Sequence, residues 1–308
     1  MKPLGQIVDE YLQLRRALGH KMEHAARLLP QFVSYLEGIG AECVTIEAAL
    51  CWAQLAPHDP APASRAQRLA VASGFARYLV GIDPRTQVPP QSLLPYPRQK
   101  RLPFIYSADD IAALMAETRR LQPAMRSATY ETLIGLLAAT GMRVGETTRL
   151  DRTDVNLAEG FLVVRMSKFG KSREVPLHPS VTMALARYAK KRDETRLKPR
   201  SPSFFISSRG TRLEKTTMCE TFRRLVEAAG VGARGPTTPH IHDLRHTFAV
   251  QTLIRWYRDG KDVQAYLPRL STYLGHLDPR STYWYLSAAP ELLALAAGRL
   301  EATKEGRA

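Results

Sequence analysis

The stretch Ser271 to Ser287, STYLGHLDPRSTYWYLS, decides how the rest of the chain is interpreted. It combines a Gly-His pair, three tyrosines and a tryptophan in one short segment. Aromatic residues at helical spacing are more often packing residues than chemical ones. Taken alone, the segment therefore favours an aromatic core helix over a carrier of a nucleophilic tyrosine, and the remaining sequence has to decide between them.

The composition is that of an ordinary globular protein with a large excess of positive charge. The 308 residues suffice for two domains, and 44 Lys and Arg against 29 Asp and Glu give a net charge of +15. Residues 1 to 100 carry 11 basic and 8 acidic side chains, and the remainder carries 33 and 21. A polyanion is the natural partner, and the bias toward the later part favours nucleic acid over a merely soluble basic protein.

Neither a membrane anchor nor disulfide chemistry is indicated. No apolar run approaches the roughly 20 residues that cross a bilayer, and acidic residues interrupt the N-terminal stretch where a signal peptide has its apolar core. Cys43, Cys51 and Cys219 lie far apart and form no C-x-x-C pair, which argues against a disulfide framework or a zinc ribbon. We expect a cytoplasmic protein that associates with the nucleoid when it binds DNA.

The first part of the chain predicts a small four-helix domain over residues 1–82. Apolar residues recur at three- and four-residue intervals from Gly5 to Leu79, with breaks at 38–40 and 57–62. Six prolines between Asp83 and Pro103 predict a stiff, extended, basic linker over residues 83–103. Candidate phosphate contacts in these parts are Arg65, Arg68, Arg98, Lys100 and Arg101, and for Arg65 and Arg68, which share a helix face, a solvated charged face is an equal alternative.

Residues 104–287 predict a second, mixed domain, followed by a C-terminal helix or tail over residues 288–308. Ser107 can cap a helix, and Gly141 can end the next one. Helices are expected over 107–121, 127–139, 180–192, 216–229 and 242–257. Two extended runs, 161–167 and 173–177, flank a four-residue turn in the layout of a β-hairpin. The fold class is therefore mainly α with a small β-sheet.

Four separated pieces of this second domain stand in a characteristic order. They are ATGMRVGE (139–146), the hairpin residue Lys168, HDLRHTFA (242–249), and Leu274-Gly275-His276 with Tyr285 nine residues after the histidine. Together they resemble the tyrosine recombinases, the phage-integrase-like DNA strand-exchange enzymes, whereas any single piece is a weak signal. The resemblance covers Ser107 to Tyr285 and implies an α+β catalytic domain, and the preceding helices resemble the family's SAM-like core-binding domain.

The resemblance implies a role for each matched residue. Arg143 and Arg245 match the two catalytic arginines, and arginine is well suited to binding the nonbridging oxygens of a phosphate because it is always charged and can bond in a bidentate manner. Lys168 matches the lysine that protonates the leaving 5′ oxygen. His242 matches the histidine that contacts the scissile phosphate or assists proton transfer, and His276 matches the one that hydrogen-bonds a nonbridging oxygen. Tyr285 matches the nucleophile. Outside these motifs, surface ion pairs and core histidines would be the ordinary interpretation.

Several alternatives stay open at individual positions. Lys171 lies in the same turn as Lys168, although the K-x-x-K-x-R-x-V-P pattern favours Lys168. Glu146 matches an acidic position of the family, where it either orients a cation or forms a structural ion pair.

One cluster of histidines and one pair of tyrosines also allow more than one interpretation. His240, His242 and His246 suggest zinc, but a site of the H-E-x-x-H type requires a glutamate where this chain has Asp243. Tyr283 and Tyr285 are two residues apart and point to nearly opposite sides of a helix. Tyr283, Trp284 and Tyr273 are therefore expected to pack.

The resemblance implies site-specific recombination of double-stranded DNA through a 3′-phosphotyrosyl intermediate and a Holliday junction, of the integrase or transposase type found on mobile elements. No metal or other cofactor is implied. A homotetramer on DNA is expected, with the C-terminal helix either exchanged between protomers or docked on its own domain, and with accessory or sister recombinases as further partners. A type IB topoisomerase and a non-catalytic DNA-binding protein of the same fold remain as rivals.

One departure from the family concerns the spacer between Arg245 and His276. It is longer than in most members and includes the runs 255–258 and 261–269. A lengthened helix, or an added contact with a subunit or with DNA, would account for it.

Overall fold

A computed structural model of the protein describes residues 2–55, 62–94, 102–165, 172–195, 201–233 and 237–276, together with Asp278, Thr282, Tyr283, Tyr285 and Leu292. The chain divides into two compact units, Met1–Arg101 and Leu102–Ala308. No helix among the described residues is both long enough and apolar enough to cross a membrane.

The first unit is a set of helices around one apolar core. Its helices are α1 (Leu4–Ala17), α2 (Glu23–Gly38), α3 (Ile46–Gln54) and α4 (Pro62–Leu79). The side-chain oxygen of Thr45 caps α3 by accepting a hydrogen bond from the Ala48 amide at 3.1 Å. Every helix contributes to the core, which includes Ile7, Leu29, Phe32, Leu36, Ala49, Leu69 and Phe75. The predicted four-helix arrangement is confirmed.

Arg68 lies inside this unit rather than on its surface. Its side chain donates a hydrogen bond to the Trp52 carbonyl at 3.0 Å, and its guanidinium lies 3.9 Å from the centroid of the Trp52 ring. The residue is only 8% exposed, and burial lowers the pKa of its guanidinium. This placement is at odds with the predicted phosphate contact, because the side chain is engaged in packing. Arg65, one turn earlier, is half-buried.

The second unit combines helices with a small antiparallel sheet. Its first helices are α5 (Ala108–Thr118), α6 (Ala124–Thr140) and α7 (Val144–Arg149). The strands β1 (Val155–Asn156), β2 (Phe161–Val164) and β3 (Arg173–Pro176) follow and pair in the order β1-β2-β3. The remaining helices are α8 (Pro179–Glu194), α9 (Lys215–Ala228), α10 (Asp243–Arg258) and α11 (Val263–Leu274). The predicted mainly helical class with a small sheet is confirmed.

Local sequence signals set several of these boundaries. Ser107 and Asp110 form a capping box at the start of α5, each side chain accepting a hydrogen bond from the other residue's amide at 3.0 and 2.8 Å. Gly141 ends α6 and Gly275 ends α11, with φ of +60° and +67°. Both helix ends use the left-handed conformation that glycine adopts without a steric penalty.

Two apolar clusters pack the second unit. The larger one joins α5, α6, the sheet, α8 and α9, and includes Leu114, Leu133, Leu162, Val175, Leu185 and Phe222. The smaller one joins α10 to α11 and includes Val250, Leu253, Leu267, Leu270 and Tyr285. Leu244 at the start of α10 belongs to the first cluster and Ala249 to the second. Arg245 therefore stands where the two clusters meet.

Three elements are absent from the sequence prediction: α7, β1 and α11. The first two are only six and two residues long, too short for a periodic signal. Helix α11 contains Pro268, which argues against a helix interior. With this helix, the long spacer after Arg245 is accounted for by α10, a turn through Gly260 and α11 packed against α10.

Candidate active site

Arg143 occupies the turn between α6 and α7. The chain reverses at Gly141, where a β-carbon would lie 2.6 Å from Cδ1 of Phe248, so the turn requires glycine. Nη1 of Arg143 donates to Oε1 of Glu146 at 2.8 Å, and Nη2 donates to the Gly275 carbonyl at 2.8 Å. The side chain is 28% exposed, so a ligand can reach it while these two bonds hold its orientation.

Glu146 is a buried carboxylate shared by two arginines. Its side chain is 2% exposed and accepts from Arg143 through the side chain and through the main-chain amide at 3.0 Å. It also accepts from Nη1 and Nη2 of Arg173 at 3.1 and 2.8 Å. Burial raises the pKa of this carboxyl, but the hydrogen bonds and charge of Arg173 and the hydrogen bonds of Arg143 outweigh it and lower the pKa to about 2. Glu146 is therefore ionised at neutral pH.

Arg173, the first residue of β3, is not among the predicted site residues. Besides its two bonds to Glu146, its Nε donates to the Tyr273 carbonyl at 2.8 Å, and the side chain is 13% exposed. The residue fills the arginine position of K-x-x-K-x-R-x-V-P, so a sequence signal was present. That signal does not disclose the partners, which lie 27 and 100 residues away.

Arg245 is the most buried of the arginines at the site, with 2% of its surface exposed. Its Nη1 donates to the Gly141 carbonyl at 2.8 Å and its Nη2 to the Leu274 carbonyl at 2.7 Å. Burial, and then the nearby charge of Arg143, lowers the pKa of its guanidinium to about 10. The group still carries its charge at neutral pH.

The C-terminal end of α11 binds three arginines through three consecutive carbonyls. The pairs are Tyr273 with Arg173, Leu274 with Arg245, and Gly275 with Arg143. The preceding carbonyls of Ser271 and Thr272 accept instead from the amides of His276 and Gly275. The last carbonyls of a helix lack intrahelical partners and carry partial negative charge, so cationic donors stabilise them. Three arginines distant in sequence are thereby fixed beside His276.

His276 follows this helix end directly. Its Nδ1 lies at hydrogen-bonding distance, 2.8 Å, from Oγ1 of Thr282. Burial, followed by the charges of Arg245 and Arg143, lowers the pKa of the ring to about 4. The ring is therefore neutral at pH 7, with one nitrogen held by Thr282.

Tyr285 lies against two histidine rings. Its ring centroid is 6.1 Å from that of His276, with the planes nearly parallel, and 5.4 Å from that of His246. The residue is 2% exposed, and burial raises the pKa of its phenol, against the opposing charge and hydrogen bond of Arg245. The phenol consequently keeps its proton at neutral pH.

Tyr283 differs from Tyr285 in its environment, being 50% exposed. The prediction that Tyr283 packs is wrong, because its position two residues away turns it toward solvent. The packing prediction for Tyr273 is confirmed, since its ring stacks on that of Phe248 with centroids 5.6 Å apart. Trp284 lies outside the described residues.

His242 stands immediately before α10 at the surface of the unit. Its ring meets that of His246 edge to face, with centroids 5.0 Å apart. Desolvation by the surrounding protein, and then the charge of Arg245, lowers the pKa of its ring. The neighbouring Asp243 is buried and accepts from the His240 amide at 2.9 Å. Among the described residues, no three His, Cys, Asp or Glu side chains are grouped so that they could hold a metal ion.

The structure thus brings together six of the predicted residues, with the unpredicted Arg173 bonded to Glu146, whereas several other predicted residues lie elsewhere. Hydrogen bonds, ring contacts or mutual charge effects connect Arg143, Glu146, Arg245, His242, His276 and Tyr285. Arg65 and Arg68 belong to the first unit. The predictions for Lys168, Lys171, Arg98, Lys100, Arg101 and the C-terminal tail fall outside the described residues, Leu292 apart.

Comparison with known proteins gives consistent matches. The model of the phage integrase family matches residues 105–291. A putative integrase/recombinase of Sinorhizobium fredii, y4rB, is 41% identical over the full length of both chains. The tyrosine recombinase XerC of Pelobacter propionicus is 31% identical, over 72% of this chain and 68% of its own length.

Solved structures match the fold. The Tn1549 transposon integrase in complex with transposon right-end DNA has a TM-score of 0.66 at 17% identity, covering 97% of this chain and 98% of the integrase. A lambda integrase dimer bound to a core site has a TM-score of 0.58 at 20% identity, covering 90% and 96%.

Proposed function

The chain belongs to the phage integrase family, the tyrosine recombinases, and on this basis we propose that it recombines DNA at specific sites with Tyr285 as its nucleophile. The observation that carries the assignment of the site is the end of α11, where the carbonyls of residues 273–275 orient three arginines beside His276. Tyr285 contacts the same histidine. A phosphate bound there meets both positive charge and a nucleophile.

The first chemical step is attack of the Tyr285 hydroxyl oxygen on the scissile phosphorus. A phosphorus–oxygen bond to tyrosine forms, and the bond to the 5′ oxygen breaks. The phenol gives its proton to a base, a role for which His242 is the candidate, and the departing 5′ oxygen gains a proton. By the resemblance of the hairpin motif, Lys168 supplies the second proton, a contribution typically of about 10²- to 10⁴-fold in rate. A free 5′ hydroxyl then attacks the partner strand's phosphotyrosyl bond and reverses the chemistry.

Arg143 and Arg245 stabilise the transition state electrostatically. Negative charge builds on the nonbridging oxygens during attack, and preorganised cationic donors are most effective when no reorganisation is needed. The carbonyls of Gly275 and Leu274 supply that preorganisation. Loss of either arginine should weaken transition-state stabilisation by about 3 to 4 kcal/mol, by analogy with the loss of an oxyanion-hole donor.

The two histidines complete the phosphate site. With Nδ1 of His276 held by Thr282, Nε2 is the nitrogen that can donate to a nonbridging oxygen. A neutral ring, which the lowered pKa of His276 provides, suits such a donor. His242 stands at the surface of the same region, where it can contact the phosphate or assist proton transfer.

Burial of Tyr285 has a mechanistic consequence. At 2% exposure each, the Tyr285 hydroxyl and the Arg245 guanidinium cannot meet a phosphate unless DNA binding uncovers them. We therefore expect attack to be coupled to a rearrangement of the segment around Tyr285 on DNA.

Double-stranded DNA is the partner that the charge supports. The net charge of +15 suits a polyanion. A lambda integrase tetramer bound to a Holliday junction matches this chain's fold, with a TM-score of 0.61 at 18% identity. We propose a homotetramer on DNA for this chain as well, with the first unit as a core-binding domain.

Site selection followed by a plasmid assay tests the function. A pool of randomised nicked duplexes, incubated with the protein and washed in detergent, should yield sequences attached covalently to it. Two copies of a selected site placed in one supercoiled plasmid should then give recombinant circles. Relaxation of a plasmid lacking the site, without recombinants, would assign a topoisomerase activity instead.

A further inference from the structure

Arg173 makes a distinctive set of contacts for a residue to which the resemblance assigns no role. It forms two hydrogen bonds with the Glu146 carboxylate, at 3.1 and 2.8 Å, and one with the Tyr273 carbonyl, at 2.8 Å. Its guanidinium also lies beside Gly275, where a β-carbon would come within 2.9 Å of Nη1. The residue thus joins the sheet to α7 and to the end of α11.

We infer that Arg173 is a positioning residue for DNA cleavage, which keeps the charge of Arg143 available to the scissile phosphate and holds the helix end that precedes His276. The inference rests on the proposed function. Arg173 is not assigned a contact with DNA; it acts through Glu146 and through the Tyr273 carbonyl.

Arg173 affects the charge at the site because it shares the Glu146 carboxylate with Arg143. Arg143 and Glu146 alone would form a neutral pair, and a phosphate approaching Arg143 would meet the carboxylate as well. Arg173 balances that negative charge, so the three side chains together remain positive. Because the carboxylate is buried, such a charge change is weakly screened.

Arg173 also fixes the orientation of the Glu146 carboxylate, because both carboxylate oxygens accept hydrogen bonds from it. Oε1 and Oε2 each accept one bond from Arg173 and one from Arg143. Without Arg173, the carboxylate has two open acceptor positions and can rotate to take a second side-chain bond from Arg143. Arg143 would then be drawn away from Gly275 and from the phosphate position.

The variant that tests this is Arg173→Met, measured for the rate of covalent attachment to a nicked duplex of the selected site at saturating protein. We expect the rate to fall about 10²-fold, as for misplaced catalytic groups, while DNA affinity stays within a few-fold of wild type. Arg173→Lys keeps the charge but cannot make all three bonds, so its rate should fall by a factor on the order of ten.

A matched control is Arg192→Met. Arg192 is a buried arginine of the same unit that also makes two hydrogen bonds to a carboxylate, that of Asp193, and one to a carbonyl, that of Phe204. Its loss removes the same kind of contacts away from the site. Stability should fall, whereas the cleavage rate of the folded protein should not.

A double substitution separates the proposed role from a general structural one. Glu146→Gln removes the carboxylate charge that Arg173 balances. The double variant of Glu146→Gln and Arg173→Met should therefore cleave DNA no more slowly than Arg173→Met alone. Multiplicative losses in the double variant, or wild-type rates in folded Arg173→Met or Arg173→Lys, would overturn the inference. Failure of the wild-type protein to attach to any duplex would instead refute the proposed function itself.

Discussion

The fold stabilises the ionised form of Glu146. Its pKa is about 2 in the folded protein against an ordinary value of 4.5. A carboxyl with a depressed pKa contributes stability that is fully present above pH 4.5 and is lost as the pH falls toward 2. The difference corresponds to about 3 kcal/mol.

A pH series of urea titrations measures this contribution. The free energy of unfolding of the wild type should fall more steeply between pH 5 and pH 2 than that of Glu146→Gln. Glu194→Gln is the control, because Glu194 forms only a surface pair with Lys190, and such pairs contribute little. Parallel curves for the wild type and Glu146→Gln would contradict the assignment of Glu146 as the shared, ionised carboxylate.

For single residues of the site, the sequence predicts the residue types better than it predicts their hydrogen-bonding partners. Arg143, Arg245, His276 and Tyr285 are recognisable because short motifs flank them. The partners of the two arginines include main-chain carbonyls at helix ends, which any residue could supply. No sequence motif marks such carbonyls, so the third arginine, Arg173, escapes prediction although its position belongs to a quoted pattern.

The end of α11 is the element on which the site depends. Gly275 takes a φ of +67°, and a β-carbon there would meet Arg173 at 2.9 Å. Gly260, which follows the end of α10, has a similar φ of +72° but nothing within 4 Å of a β-carbon. The two glycines therefore separate the cost of backbone conformation from the cost of displacing an arginine.

Alanine substitution at the two glycines makes this comparison directly. Gly260→Ala should lower the free energy of unfolding by about 1 to 2 kcal/mol, the cost of a left-handed residue with a side chain, and Gly275→Ala should lower it by at least as much because it also displaces Arg173. Only Gly275→Ala should also slow covalent attachment to DNA, by at least about tenfold, because the arginines shift. Equal cleavage rates in the two folded variants would show that the helix end does not set the arginine positions.

The elements themselves were predictable in proportion to their length and regularity. Amphipathic helices without an internal proline, such as α9 and α10, and the hairpin strands β2 and β3, follow from periodicity. Helix α11 does not, because Pro268 interrupts its signal while its packing against α10 compensates. The element that organises the site is thus one that the sequence pattern alone argues against.

The whole molecule is expected to bind DNA largely through its phosphates. The charge excess is concentrated after residue 100, where the chain carries 33 basic and 21 acidic side chains. If the protein contacts six to ten phosphates, raising the salt concentration from 50 to 200 mM should lower its affinity for DNA by roughly 10³- to 10⁵-fold. Fluorescence titrations of a selected duplex over this range should show that slope, and a weak salt dependence would argue against an extended phosphate interface.

The sequence predicts where the two domains are joined, and the structure shows where each unit ends. The proline-rich stretch predicts a linker over residues 83–103, whereas Val88 and Leu94 pack against the core of the first unit and the chain divides between residues 101 and 102. That the first unit binds the recombination site remains a prediction, and the internal position of Arg68 shows that shared helical spacing does not ensure exposure.

The identity of the nucleophile is the central claim, and peptide mapping of the covalent complex tests it most directly. Protein trapped on a nicked duplex is digested with protease and nuclease, and the tyrosine that carries the nucleotide is identified by mass spectrometry. The structure predicts the adduct on Tyr285, none in Tyr285→Phe, and full trapping in Tyr283→Phe, whose ring is 50% exposed in the wild type. An adduct on Tyr283, or trapping that survives in Tyr285→Phe, would contradict it.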